Sequence, residues 1–87
     1  MEKITVEILE KIGFRGDDIC GYWFGQLVCE PFLITFIIKD GYQYLMIDNQ
    51  LDRDLNHTYL NLKKEIFYTH DIQQAFDVCG VDKRIEL

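Results

Sequence analysis

Hydrophobic positions along this chain recur first at helical spacing, then at strand spacing, then at helical spacing again, and the changes of period delimit its elements. Near the N-terminus Ile8, Leu9 and Ile12 share one helical face. Thr5 stands where its hydroxyl caps the first turn, Glu7 lies near the positive end of the helix dipole, and Lys11 near the negative end. Gly13 suits the left-handed position that ends a helix, with Ile4 and Phe14 folding onto Leu9 from either side. Arg15-Gly16-Asp17-Asp18 reads as a polar connector. Ile19 to Cys29, rich in aromatic and β-branched residues, reads as an irregular strand bulged at Gly25. Glu30-Pro31 breaks the ladder, because proline donates no backbone hydrogen bond.

The strongest local signal is Asp40-Gly41 between the strand-like runs Phe32 to Lys39 and Tyr42 to Asp48. Asp-Gly in that setting predicts a two-residue hairpin of type I′, in which both central residues take positive φ. A loop of that length sets the register. Ile38 faces Gln43, Phe36 faces Leu45 and Ile34 faces Ile47, while Lys39, Ile37, Thr35 and Leu33 face Tyr42, Tyr44, Met46 and Asp48. The first set, with Phe32, is core. The second face carries Leu33, Ile37, Tyr42, Tyr44 and Met46, too apolar for a sheet surface left open to water.

After a polar loop from Asn49 to Asn56, Thr58 to Lys63 sets Thr58, Leu60 and Leu62 against Tyr59, Asn61 and Lys63, the alternation of a half-buried strand. A second helix follows. Thr69 is its expected cap, Ile72, Ala75, Phe76 and Cys79 form its apolar stripe, and Gly80 closes it with Val81 placed to touch Phe76. The tail from Val81 to Leu87 suits either a short edge strand or a strapped terminus. The expected architecture is therefore α+β, a single domain over residues 1–87. It comprises an antiparallel sheet of three to five strands with an N-terminal and a C-terminal helix packed on one face.

Two of these segments carry a likeness. Thr69-His70-Asp71-Ile72-Gln73-Gln74-Ala75-Phe76-Asp77-Val78-Cys79-Gly80-Val81 resembles the C-terminal helix of small uncharacterised proteins of gut bacteria and their phages, and Ile8-Leu9-Glu10-Lys11-Ile12-Gly13-Phe14 resembles the N-terminal helix of the same group. Ile72 stands where that group usually has Leu, a change that conserves volume. The resemblance implies a fold and a habitat and names no activity. By analogy it extends to a phage- or mobile-element-borne inhibitor of host or defence proteins.

Composition narrows the classes further. At 87 residues with 48% hydrophobic content the chain supports one core and is too apolar for disorder. The longest apolar stretch, Pro31 to Ile38, is far shorter than the roughly 20 residues of a membrane-spanning helix. The acids of the first residues interrupt any export signal, so the expected location is cytoplasmic. A net charge of −6, with nine scattered Lys and Arg, argues against nucleic acid and membrane surfaces as partners.

Candidate chemistry is sparse. Cys20, Cys29 and Cys79 are odd in number and widely spaced, as expected of buried reduced thiols. Together with His57 and His70 they lack the closely spaced ligand pairs of a zinc site. Asp48, Gln50, Asp52 and Asp54 alternate like calcium ligands, but Arg53 and Tyr59 stand where such a loop requires Gly and Glu. His70 reads as a structural histidine in the first turn of its helix, and Cys79, at the far end of that helix, faces a different stretch. Asp17 and Asp18 read as turn residues. No phosphate loop or nucleophile elbow occurs, so no cofactor is expected. The expected function is a non-enzymatic interaction module that binds itself as a homodimer or binds a host protein. Its surface is Leu33, Ile37, Tyr42, Tyr44 and Met46 with Trp23. The alternatives are a binder of a small nucleotide signal, with aromatic rings stacking on the base, and, last, a small hydrolase using His70 with Asp17 or Asp18.

Overall fold

Helix α1, Val6–Ile12, forms where its two end signals place it. The Thr5 backbone is extended and its hydroxyl accepts the Ile8 amide at 3.2 Å. Gly13 takes φ 125° and the Phe14 amide donates to the Leu9 carbonyl at 2.9 Å, which buries Leu9, Ile12 and Phe14 together. The structure, a computed structural model, describes residues 2–50 and 58–87. In it the chain is α+β, with a five-stranded antiparallel sheet and one helix from each end of the sequence.

The strands are β1 (Arg15–Ile19), β2 (Tyr22–Cys29), β3 (Phe32–Lys39), β4 (Tyr42–Asn49) and β5 (Thr58–Lys64), each paired to the next in chain order. The Arg15 to Asp18 segment is thus a strand and no connector. As the sheet's edge it needs only one neighbour, and charged side chains suit such an edge because they discourage pairing with other chains. A tight turn at Cys20-Gly21 returns the chain into β2. Glu30-Pro31, joined by a cis peptide bond, occupies the next turn, with Cys29 opposite Phe32.

Gly25 carries no bulge. It pairs in unbroken register with Gly16 on one side and Phe36 on the other. Its role is steric, because a Cβ built on Gly25 would run into the six-membered ring of Trp23, and one built on the paired Gly16 would collide with the β2 backbone at Phe24 and Gly25 and stand 2.7 Å from Trp23 Cζ2. An aromatic ring laid over strand glycines restores the packing that glycine lacks.

The hairpin around residues 40 and 41 has the expected register at every pair from Lys39↔Tyr42 to Leu33↔Asp48. Its turn differs in type. Gly41 has φ 79°, but Cys20, with φ 50°, is the one described non-glycine residue at positive φ, so Asp40 is not. That sign pattern belongs to a type II turn. The type I′ pattern occurs instead at Cys20-Gly21, where Gly21 has φ 88°. Cysteine pays a steric cost in the left-handed region that asparagine largely avoids. Cys20→Asn is therefore expected to raise stability by about 0.5–1 kcal/mol, read as a higher urea midpoint with unchanged slope.

A register shift beside Ile47 and Asp48 turns Tyr59 away from the face its alternation implied. Its ring meets that of Phe32, centroids 6.2 Å apart, and its hydroxyl accepts from Asn49 Nδ2 at 3.3 Å. Helix α2 spans Thr69–Cys79. Its cap is Tyr68 where Thr69 was expected, because the Asp71 carboxylate reaches back to accept the Tyr68 amide at 2.8 Å. The N-terminal segment is tied alongside, the Ile4 amide donating to the Phe67 carbonyl and the Thr69 amide to the Glu2 carbonyl. At the other end Val81 N–H closes onto Phe76, and Gln73 straps the tail by accepting the Ile85 amide at 2.7 Å and donating to the Lys83 carbonyl at 3.1 Å.

One core lies between helices and sheet. Trp23, Leu27, Phe32, Ile34, Phe36, Leu45 and Ile47 rise from the strands to meet Leu9, Ile12, Phe14, Phe67, Ile72, Ala75 and Phe76. Phe36 stands at its centre, edge-on to Phe14 at 6.3 Å and to Phe67 at 5.4 Å. Gln43 shares that sheet face and accepts the Phe67 amide at 2.8 Å, pinning the approach to α2 onto β4.

Candidate functional site

Directly opposed residues of an antiparallel pair point to the same side, so the ladders assign the opposite sheet face row by row. Its middle row runs Asp17, Phe24, Ile37, Tyr44, Lys63 across the five strands. Ile19, Tyr22, Lys39 and Tyr42 form the row toward the Cys20 and Asp40 turns. Arg15, Gln26, Thr35, Met46 and Asn61 form the row on the other side, with Val28, Leu33 and Asp48 beyond. Because both helices contribute to the core on the far side, neither covers this face.

Leu33, Ile37, Tyr44 and Met46 are half-buried, and Tyr42 is exposed. Val28 and Ile19 extend the apolar area, at 57% and 45% exposure. Thr35 is buried at the centre and accepts from Gln26 Nε2 at 3.4 Å. Between Tyr22, Lys39, Ile37, Tyr44, Met46, Asn61 and Lys63 lies a shallow depression of about 510 Å³. Its cations rest on aromatic rings in and beside it: Lys63 Nζ lies 4.3 Å from the centroid of the neighbouring Tyr42, and Lys39 Nζ lies 5.7 Å from that of Tyr22. Among the described residues the charges here are Asp17, Asp48, Arg15, Lys39 and Lys63, close to balanced on a chain whose net charge is −6.

Five of the six residues expected to make this surface share it. Trp23 does not. Paired with Ile38, it points into the core and is 6% exposed, the glycine platform beneath its ring being available only on that side. Phe24, Tyr22 and Lys63 were missed as members, although a two-residue turn at Glu30-Pro31 would have implied the side on which Phe24 lies, and Lys39, which the hairpin register already set on this face opposite Tyr42, was left out of the contact surface.

The remaining candidates do not converge. Asp17 and Asp18 point to opposite faces of the edge strand β1, while α2, with His70, lies against β5 at the other edge. His70 Nε2 is 3.3 Å from Asp71 Oδ1 and the ring stacks on Tyr68. Among the described residues no group of His, Cys, Asp and Glu is placed to hold a metal ion. His57 and the acid-rich stretch beyond Gln50 lie outside the described residues. The three thiols are free, and Cys20, expected to be buried, is exposed because it sits in a turn. Burial pushes the thiols of Cys29 and Cys79 up, countered at Cys29 by Lys83.

Asp71 is held in a polar cluster with Tyr68, Lys64 and His70. Partial burial pushes its pKa up, but the Tyr68 amide, the Lys64 ammonium at 3.2 Å and His70 outweigh this and hold it below the ordinary value of 3.8. A lowered folded-state pKa stabilises the fold above the ordinary value, and the gain is lost as pH falls through the lowered one. The stability difference between wild type and Asp71→Asn, from urea titrations at stepped pH, is thus expected to be largest near neutrality and to shrink below about pH 4.

No protein-family model matches the sequence, and no curated protein and no solved structure shows significant similarity to it. Among the described residues no helix is long and apolar enough to cross a membrane.

Proposed function

We propose that this chain is a non-enzymatic protein-interaction module that associates with a second copy of itself through the open face of its sheet. The carrying observation is that the central strands present Phe24, Ile37, Tyr44 and Met46 on the side that neither helix covers. Continuous apolar area of this kind, with aromatic side chains at its middle and charges at its margins, is the composition of an interface core and rim. Charge permits a copy of the same chain as the occupant: two bodies of net charge −6 repel overall, and this nearly balanced face brings them together with less local repulsion than an acid-rich surface would.

Light scattering over a concentration series tests the reading. The wild type is expected to form dimers, while Ile37→Glu and Tyr44→Glu remain monomeric with their folded state intact, because both side chains lie outside the core. A wild type that stays monomeric at all concentrations overturns it.

A second reading, a binder of a small nucleotide signal, gains one observation. Lys39 and Lys63 flank the depression between Tyr22 and Tyr44, putting cations beside stacking surfaces. It predicts thermal stabilisation by a nucleotide and loss of that effect in Lys63→Ala.

A further inference from the structure

We infer that the two copies meet about a two-fold axis parallel to β3, so that Asp17 of each forms a salt bridge with Lys63 of the other. This rests on the self-association reading above and deepens it by specifying the arrangement. The basis is the order of side chains across the middle row: acid, aromatic, aliphatic, aromatic, base, in the sequence Asp17, Phe24, Ile37, Tyr44, Lys63. A two-fold contact must be self-complementary, each residue meeting the residue that meets it in return. Five strands in simple order have β3 at their centre, and rotation about that strand exchanges β1 with β5 and β2 with β4. Ile37 then meets its own copy on the axis, Phe24 meets Tyr44, and Asp17 meets Lys63, each of the last two contacts occurring twice.

The alternative face-to-face axis, perpendicular to the strands, lays each strand over its own copy. With that axis through the middle row, where the aromatic and aliphatic side chains overlap most, Asp17 would face Asp17 and Lys63 would face Lys63. Opposed like charges are penalised and opposed unlike charges favoured, so the charges select the axis parallel to β3. That arrangement keeps the strand directions of the two sheets aligned, as face-packed sheets prefer. Lys63 is already held over the Tyr42 ring at 4.3 Å, which reduces the freedom it would lose on pairing. One like pair remains, Lys39 with its own copy, at the solvent-facing end of the strand, where a long side chain keeps its ammonium in water.

The available area fits a reversible dimer. Strands about 4.8 Å apart, rising about 3.3 Å per residue, give this sheet a face of roughly 500 Å², so two copies bury on the order of 1,000 Å², the low end for specific interfaces.

Charge reversal with sedimentation-equilibrium readout tests the pairing. Asp17→Lys and Lys63→Asp should each weaken dimerisation at least about tenfold, since each replaces two attractions by two repulsions. The double variant Asp17→Lys/Lys63→Asp should recover dimerisation, and an equimolar mixture of the two single variants should form a heterodimer tighter than either homodimer. Recovery in the double variant separates the inferred pairing from the mere loss of Lys63 from the Tyr42 ring. If the wild type dimerises but the single reversals leave its dissociation constant unchanged, or the double variant fails to recover, the pairing is wrong and the interaction module stands. A wild type that never dimerises removes both.

Discussion

Gly25→Ala is expected to destabilise the domain by about 3 kcal/mol or more, a large fraction of the roughly 5–13 kcal/mol a domain of this size possesses. The position tolerates no side chain, because an added Cβ would run into the six-membered ring of Trp23, whose edge lies over the glycine backbone. Relief by moving the indole would expose one of the larger buried groups, since Trp23 is 6% exposed and belongs to the core. Trp23→Ala alone is expected to cost a comparable amount through the cavity it leaves. The two losses should not add, because removing the indole removes the obstacle. In a double-mutant cycle read by urea unfolding, Gly25→Ala should cost little in the Trp23→Ala background, and full additivity would refute the steric account.

Phe36→Ala should cost about 3–5 kcal/mol, the range for removing a fully buried phenylalanine. Phe36 is wholly inaccessible and joins the parts of the fold, with Phe14 beyond α1 on one edge and Phe67 ahead of α2 on another. Its loss would unseat both helix attachments at once. The neighbouring position behaves differently, because successive strand residues point to opposite faces. Ile37→Glu should remove self-association and, at a concentration low enough for the wild type to be monomeric, leave the unfolding midpoint close to that of the wild type. Calorimetry on both variants gives the contrast directly, and a severe loss of stability in Ile37→Glu would mean that the second face is covered by the chain itself.

The legible parts of this fold were those whose signals are local. Thr5 and Gly13 bracket α1 within a few residues, and Gly80 with Val81 closes α2 through a bond to Phe76. Asp40-Gly41 set every pair of the β3–β4 ladder, since a two-residue loop leaves one register and period-two alternation does the rest. The grouping of Leu33, Ile37, Tyr42, Tyr44 and Met46 followed without knowledge of any other element. Asp40 keeping negative φ did not disturb it, because register depends on loop length more than on turn type.

What needed the assembled structure involved partners distant in the chain or signals of ambiguous sign. Arg15 to Asp18 has no alternation that marks a strand, and it becomes one because β2 offers an unfilled ladder beside it. Gly25 carried the composition of a bulge, and only the position of the Trp23 ring shows why glycine stands there. Tyr68 displaced Thr69 as the cap because Asp71, drawn into a cluster with Lys64 and His70, reaches back to its amide. What covers the core face of the hairpin depended on the same kind of distant contact. The sequence marks the Phe36 face as core, while the half-apolar second face leaves open whether it is covered too. Phe14 and Phe67 meet Phe36 from opposite ends of the sequence and commit both helices to the first face, so that neither covers the second. Short-range spacing is thus written into neighbouring residues, whereas the open face exists only because long-range packing filled the other one.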